Sequence, residues 1–173
     1  MKKFFIQLIL LVVLTFLFLE YALKPENFSA FLGGFDGGTP SETQTQVKIA
    51  STTITVDVAD TKAKRAKGLG GRTSLDPNSG MLFIFDSPAK QRFWMKGLQF
   101  PLDIIFISNN RIVDIMPNIQ PPMEGQIDSE LPIYTPKTES DMVLEVNGGF
   151  VSSHNIHIGD TIEVQTISEL PAD

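Results

Sequence analysis

The hydrophobic positions of this chain follow two regimes. From Phe4 to Leu19 they are continuous, interrupted only by Gln7 and Thr15, with Lys2 and Lys3 ahead of the run and Glu20 behind it. A stretch that is apolar all round has no polar face to turn toward water, so it does not read as a surface helix of a soluble domain. Extended to Leu23 it reaches roughly 20 residues, the length that crosses a hydrocarbon core as a helix. A basic start before an apolar run is the pattern of a secretory signal or a signal anchor. The run ends in Glu20-Tyr21-Ala22-Leu23-Lys24-Pro25, which lacks a small-x-small cleavage site, and at Asn27-Phe28-Ser29-Ala30 the bulky Phe28 stands where a small residue is needed. Residues 4–23 are therefore expected to remain as a single-pass membrane anchor, with residues 1–3 in the cytoplasm and the rest of the chain outside it. Secretion after cleavage is the alternative.

Residues 24–46 carry Gly33-Gly34, Gly37-Gly38, Pro40 and a Ser/Thr/Gln run, the chemistry of a flexible linker. Phe28, Phe31, Leu32 and Phe35 leave a short interfacial helix open as a second reading of its first half. From Val47 the pattern changes to period two. Thr53-Ile54-Thr55-Val56-Asp57-Val58-Ala59 alternates as a half-buried strand does. Asp60 is placed to cap a short helix ending at Lys67 and Gly68, with Ala63, Ala66 and Leu69 as its apolar stripe. Further strands are expected at 81–85, 92–96, 103–108, 111–116, 142–146 and 161–166. Asn109-Asn110 suits a two-residue hairpin turn, because Asn tolerates positive φ. Gly149 to His154 reads as a helical turn with Asn155 as a left-handed cap. Many short strands with turn signals predict one mostly-β domain over residues 47–173, a small barrel or sandwich with one or two short helices. The Pro-rich, acidic stretch 118–132 is long for a loop in so small a domain and reads as a functional flap or a plain excursion.

Composition narrows the partners. The 173 residues are 42% hydrophobic and 20% charged, a globular balance with room for one domain beside the anchor. A net charge of −6 disfavours nucleic acid and anionic headgroups as partners. With no cysteine there are no disulfides, no thiolate metal sites and no cysteine nucleophile. The expected partners are the membrane, through the N-terminal helix, and a ligand of the cell wall or envelope.

One dense series of motifs stands out: Arg65-Ala66-Lys67-Gly68-Leu69, Arg72, Gly80-Met81-Leu82-Phe83-Ile84-Phe85, Phe93-Trp94-Met95-Lys96, and Pro101-Leu102-Asp103-Ile104-Ile105-Phe106-Ile107. Val143-Leu144-Glu145-Val146-Asn147-Gly148-Gly149, Ile156 and Gly159-Asp160 continue it. In this series the chain resembles the DUF192 family, also called UPF0127, over about Val47 to Val164. The resemblance implies a small, mostly-β domain that often follows an N-terminal signal or anchor; it implies no reaction. The chain departs from the family's pattern in having Gly70 where Met is usual and Gly97-Leu98 where Asn-Thr is usual. It also lacks the cysteine pair many members carry in the long loop. If the first two positions line a site, that site is altered here.

The candidate chemistry is sparse. Trp94 and Lys96 would share one face of a strand, a flat indole beside an ammonium that suits a sugar, peptide or anion; the plain alternative puts Trp94 in the core. Arg72, Asp103 and Glu145 are the charged residues inside the matching motifs. They read either as a polar pocket, in which the two carboxyls do acid/base work, or as a structural ion pair. His154 and His157 make a thin metal site, short of the three or four protein ligands zinc uses, so no metal is expected. No Gly-x-Ser-x-Gly elbow and no phosphate loop ahead of a helix is present, and no cofactor is implied. The leading expectation is a non-catalytic binding or accessory module of the envelope, with Arg72, Trp94, Lys96 and Asp103 as ligand contacts. The rivals are an extracytoplasmic hydrolase of wall material using Asp103 and Glu145, and a structural partner of another envelope protein.

Overall fold

The computed structural model describes residues 43–168, with Leu11 and Thr15 as isolated helical positions ahead of them. The expected anchor, apart from those two residues, and the linker up to residue 42 lie outside the described residues. Among the described residues no helix is long and apolar enough to cross a membrane.

Seven strands form one sheet in the order β5-β4-β6-β3-β2-β1-β7. In chain order they are β1 (Thr43–Ile49), β2 (Thr52–Ala59), β3 (Ser79–Ala89), β4 (Leu102–Ser108), β5 (Arg111–Ile119), β6 (Ser140–Asn147) and β7 (Ile162–Ser168). All pairs are antiparallel except β2–β3, whose crossover carries the helix α1 (Lys62–Lys67). A second helix, α2 (Phe150–Ser153), follows β6. The mostly-β class with two short helices agrees with the expectation, but the sheet is open and not a closed barrel. The edge strand β5 meets the residue just ahead of β7 at one isolated bridge, Arg111–Thr161, and among the described residues no ladder joins the two edge strands.

The centre of the sheet is buried on both faces. Leu102 to Ile107 is buried without interruption, as in a strand covered from both sides. Its even-numbered residues pack with Met81, Phe83 and Val143 under the 68–100 segment, while Ile105 and Ile107 pack with Val47, Ile54, Leu144 and Phe150 under α2. Gly80 on β3 has no room for a side chain: a Cβ there would lie 2.7 Å from the Glu145 carbonyl oxygen on β6. Asn109 and Asn110 both adopt positive φ, 52° and 57°, and close the β4–β5 hairpin as expected.

Several local expectations change. β1 begins at Thr43, four residues inside the expected linker, because Thr43–Ile49 pairs with both β2 and β7. The cap of α1 is Thr61, whose hydroxyl accepts from the Lys64 amide at 3.2 Å, and Asp60 instead holds the Lys64 ammonium at 2.9 Å. No residue of α1 is buried, so Ala63 and Ala66 form no apolar stripe. The expected strand at 92–96 is a single bridge, Phe93–Tyr134.

Candidate functional site

Segment 91–98 alternates in burial although it is not a strand. Phe93 and Met95 point into the core, held by the paired backbone bonds between Phe93 and Tyr134 at 2.8 and 2.9 Å. That alternation turns Trp94 outward, 44% exposed, so the core reading of this residue does not hold. The Lys96 ammonium lies 5.2 Å from the centre of the Trp94 ring and forms an ion pair with Asp128 from the long loop. The loop, with a short 3-10 turn at Asp128–Glu130, is thus docked against this segment through the ion pair and the Phe93–Tyr134 bridge.

A cleft of about 510 Å³ opens between this segment and the α1 crossover, a volume within the range of small-molecule sites. Leu69, Phe83, Phe85, Phe93 and Leu98 give it apolar walls. Arg65 is fixed at its edge: the guanidinium donates to the carbonyls of Asp60 and Ile84, each at 2.7 Å, and lies 5.2 Å over the Phe85 ring. The two glycine turns that frame the cleft are tied by the Gly71 amide donating to the Gly97 carbonyl at 3.0 Å. Gly70, Gly97 and Leu98, the positions that depart from the family's usual pattern, all line it.

Glu145 also lines the cleft. It pairs with Met81 on one side and Ile104 on the other, which sets its side chain on the cleft face of the sheet. The side chain is 4% exposed, and it makes no hydrogen bond or ion pair among the described residues. Burial pushes its carboxyl from 4.5 up to about 8, so it is mostly protonated at neutral pH and carries an O–H available for donation. A largely buried carboxyl on the lining of a cleft makes Glu145 a candidate functional group.

Asp103 lies elsewhere. It pairs with Val146, one position along, and so faces α2 on the opposite side of the sheet. There its carboxylate is fully buried and accepts the amides of Asn118 at 2.6 Å, Gly149 at 2.9 Å and Val151 at 2.7 Å. It fastens the end of β5 and the start of α2, and it does not reach the cleft. The expected ligand role of Asp103 and the paired-carboxylate hydrolysis by Asp103 and Glu145 are corrected by this: sheet alternation separates the two groups. Arg72 is outside the cleft as well, in a half-exposed pair with Asp57 at 2.6 Å. Of the expected contacts, Trp94 and Lys96 line the cleft, joined there by Glu145, which was expected only as a carboxyl of the rival hydrolase. His154 lies against the Phe150 ring, and Asp160 accepts the His157 amide at 2.8 Å, a turn bond rather than a ligand arrangement.

Arg65, Lys67, Arg92 and Phe85 line the cleft without having been singled out as a site. The signal for two of them was present in the basic last turn of α1. Nothing local marks Arg92 or Phe85, which reach the cleft through long-range folding.

A mostly-β sheet whose crossover and outlying 91–98 segment wall a cleft over one buried acid is the class of domain these residues build. The chain belongs to the DUF192 family, described as an uncharacterized ACR, whose model matches residues 44–164. Two solved structures are similar to it. One is a proposed transcription regulator from Sinorhizobium meliloti 1021, 30% identical, covering 70% of this chain and 92% of that one with a TM-score of 0.61. The other is a protein of unknown function from Novosphingobium aromaticivorans, 31% identical, covering 69% of this chain and 83% of that one with a TM-score of 0.60. No curated protein matches the chain.

Proposed function

We propose that this chain is a membrane-tethered binding module of the cell envelope. Residues 4–23 are its uncleaved anchor, residues 24–42 its tether, and the DUF192 domain takes a small envelope or wall ligand in the cleft on the outer side of the membrane. The observation that carries the binding role is the company Glu145 keeps: a largely buried carboxyl with no hydrogen bond among the described residues, in a cleft walled partly by aliphatic and aromatic side chains, beside an exposed indole with an ammonium over it. The tether is supported by the basic start and the roughly 20-residue apolar run, long enough for a bilayer. The regulator description of the S. meliloti neighbour is a poor fit here, because a net charge of −6 repels a phosphate backbone.

A second reading, a structural partner of another envelope protein, is favoured by Met123, Ile127 and Ile133, large apolar side chains exposed on the long loop.

Two measurements test the proposal. A C-terminal alkaline phosphatase fusion should be active and remain in the carbonate-washed membrane; activity in the medium or an inactive fusion rejects the tether. Trp94 is the single tryptophan of the chain, so its emission reports on the cleft directly. A small-fragment library titrated against the full chain should yield compounds that shift this emission, and Trp94→Ala should weaken their binding with little change in Tm. A library with no hits, or a large fall in Tm for the variant, rejects the binding role of this residue.

A further inference from the structure

The lining of the cleft opposes the charge of the molecule. Of the five ionisable side chains that line it, four are the cations Arg65, Lys67, Arg92 and Lys96, in a chain whose net charge is −6. Two of these are already engaged, Arg65 by backbone carbonyls and Lys96 by Asp128. The side chains of Lys67 and Arg92 make no hydrogen bond or ion pair among the described residues. Cations gathered at a cleft with low-dielectric walls focus a positive field there, which attracts anions and repels cations. Between the cations the walls carry Leu69, Phe83, Phe85, Phe93 and Leu98, which a bare inorganic anion would leave wet and an apolar body would cover. On the sheet face of the cleft, the carboxyl of the largely buried Glu145 makes no hydrogen bond or ion pair among the described residues, so its O–H is available to a ligand atom that enters.

These three observations fit one kind of occupant. Resting on the reading of the cleft as a binding site, we propose that its ligand is a small organic acid with an apolar, ring-sized body. Its anionic group lies against Lys67 and Arg92, its body lies against Phe85 and Leu98, and a neutral oxygen at its far end accepts a hydrogen bond from Glu145. An amine is excluded by the surrounding cations, and an uncharged molecule leaves Lys67 and Arg92 unused.

The test is calorimetric titration of the full chain in phosphatidylcholine nanodiscs, with empty discs subtracted. The probes are 3-(4-hydroxyphenyl)propionate, its primary amide, the matched amine tyramine, and 3-phenylpropionate, which lacks the far oxygen. The hydroxy acid is expected to bind at least tenfold more tightly than the amide, with tyramine weaker still. Lys67→Gln combined with Arg92→Gln should remove the advantage of acid over amide. Glu145→Ala should weaken the hydroxy acid at least fivefold and leave 3-phenylpropionate within twofold, while Glu145→Gln, which keeps a donor, restores most of the loss. Equal binding of acid and amide, or tighter tyramine, overturns the anion assignment while the cleft remains a binding site. Equal loss of both acids in Glu145→Ala overturns the role of the carboxyl. Failure of all four probes to bind overturns this inference, and the absence of fragment hits at Trp94 would separately overturn the reading beneath it.

Discussion

Glu145→Gln should change how stability depends on pH. In the unfolded chain the carboxyl ionises near 4.5, and in the folded domain near 8. Below the first value both states hold the proton, and the group contributes its full stability. Between the two values only the unfolded chain releases the proton, so unfolding becomes progressively easier as pH rises. Above about 8 both states are ionised and the fall levels off. Each pH unit in that window is worth about 1.4 kcal/mol, so the whole span from 4.5 to about 8 amounts to roughly 5 kcal/mol. That is a large fraction of the ~5–15 kcal/mol by which domains are stable. Glutamine fills the same volume and cannot titrate. Urea unfolding of the full chain, followed by Trp94 emission at each pH from 5 to 9, should show the wild type losing stability relative to the variant at up to about 1.4 kcal/mol per pH unit until near pH 8. Taking the difference between the two chains cancels every other titrating group they share. Parallel curves from pH 5 to 9 would mean that the carboxyl is already ionised in the folded domain, and the reasoning about a neutral donor in the cleft would be refuted.

Two further substitutions separate architecture from site. Asp103→Asn keeps one acceptor oxygen for two of the three amides but turns an NH₂ group toward the third. The variant should be destabilised by roughly 2–4 kcal/mol in urea unfolding, since charge-assisted bonds and buried unpaired donors each carry about 1–3 kcal/mol; a change below about 0.5 kcal/mol would show that the carboxylate is not the fastener described. Arg72→Ala should cost less than about 1 kcal/mol, because its pair with Asp57 is exposed to solvent and screened by salt, and it should leave fragment binding at Trp94 intact. Loss of that binding would place Arg72 in the site after all.

What could be read ahead of the structure followed the reach of local signals. β2, β4, β5 and β6 announce themselves through alternation or through unbroken Val/Ile/Leu/Phe runs, and the Asn109-Asn110 turn through its chemistry. β1 was hidden because its first four residues, Thr-Gln-Thr-Gln, look like a polar tether. Only Val47 and Ile49 at its other end are buried, and what makes it a strand is pairing on both sides with distant segments. Segment 91–98 showed the opposite failure. Its alternation is real, yet one bridge to Tyr134 replaces the ladder, and the same alternation turns Trp94 outward. The cleft was legible only in pieces. Trp94, Lys96 and Glu145 are marked by type, but Arg92 and Phe85 join them through tertiary packing that no sequence window contains.

Asp103 and Glu145 show why type and burial alone cannot assign a role. Both carboxyls are buried, they sit on hydrogen-bonded neighbouring strands, and Asp103 is paired with the residue next to Glu145. Alternation sends them to opposite faces, and the faces offer different partners. On the α2 side, three backbone amides converge on Asp103, which makes a buried anion tolerable and turns it into a joint between strand and helix. On the cleft side nothing converges on Glu145, so the cheaper solution is to keep the proton. A hydrophobic residue of similar size in its place would relieve that cost altogether. The open cleft above Glu145 is the route by which the ligand proposed above would reach that carboxyl.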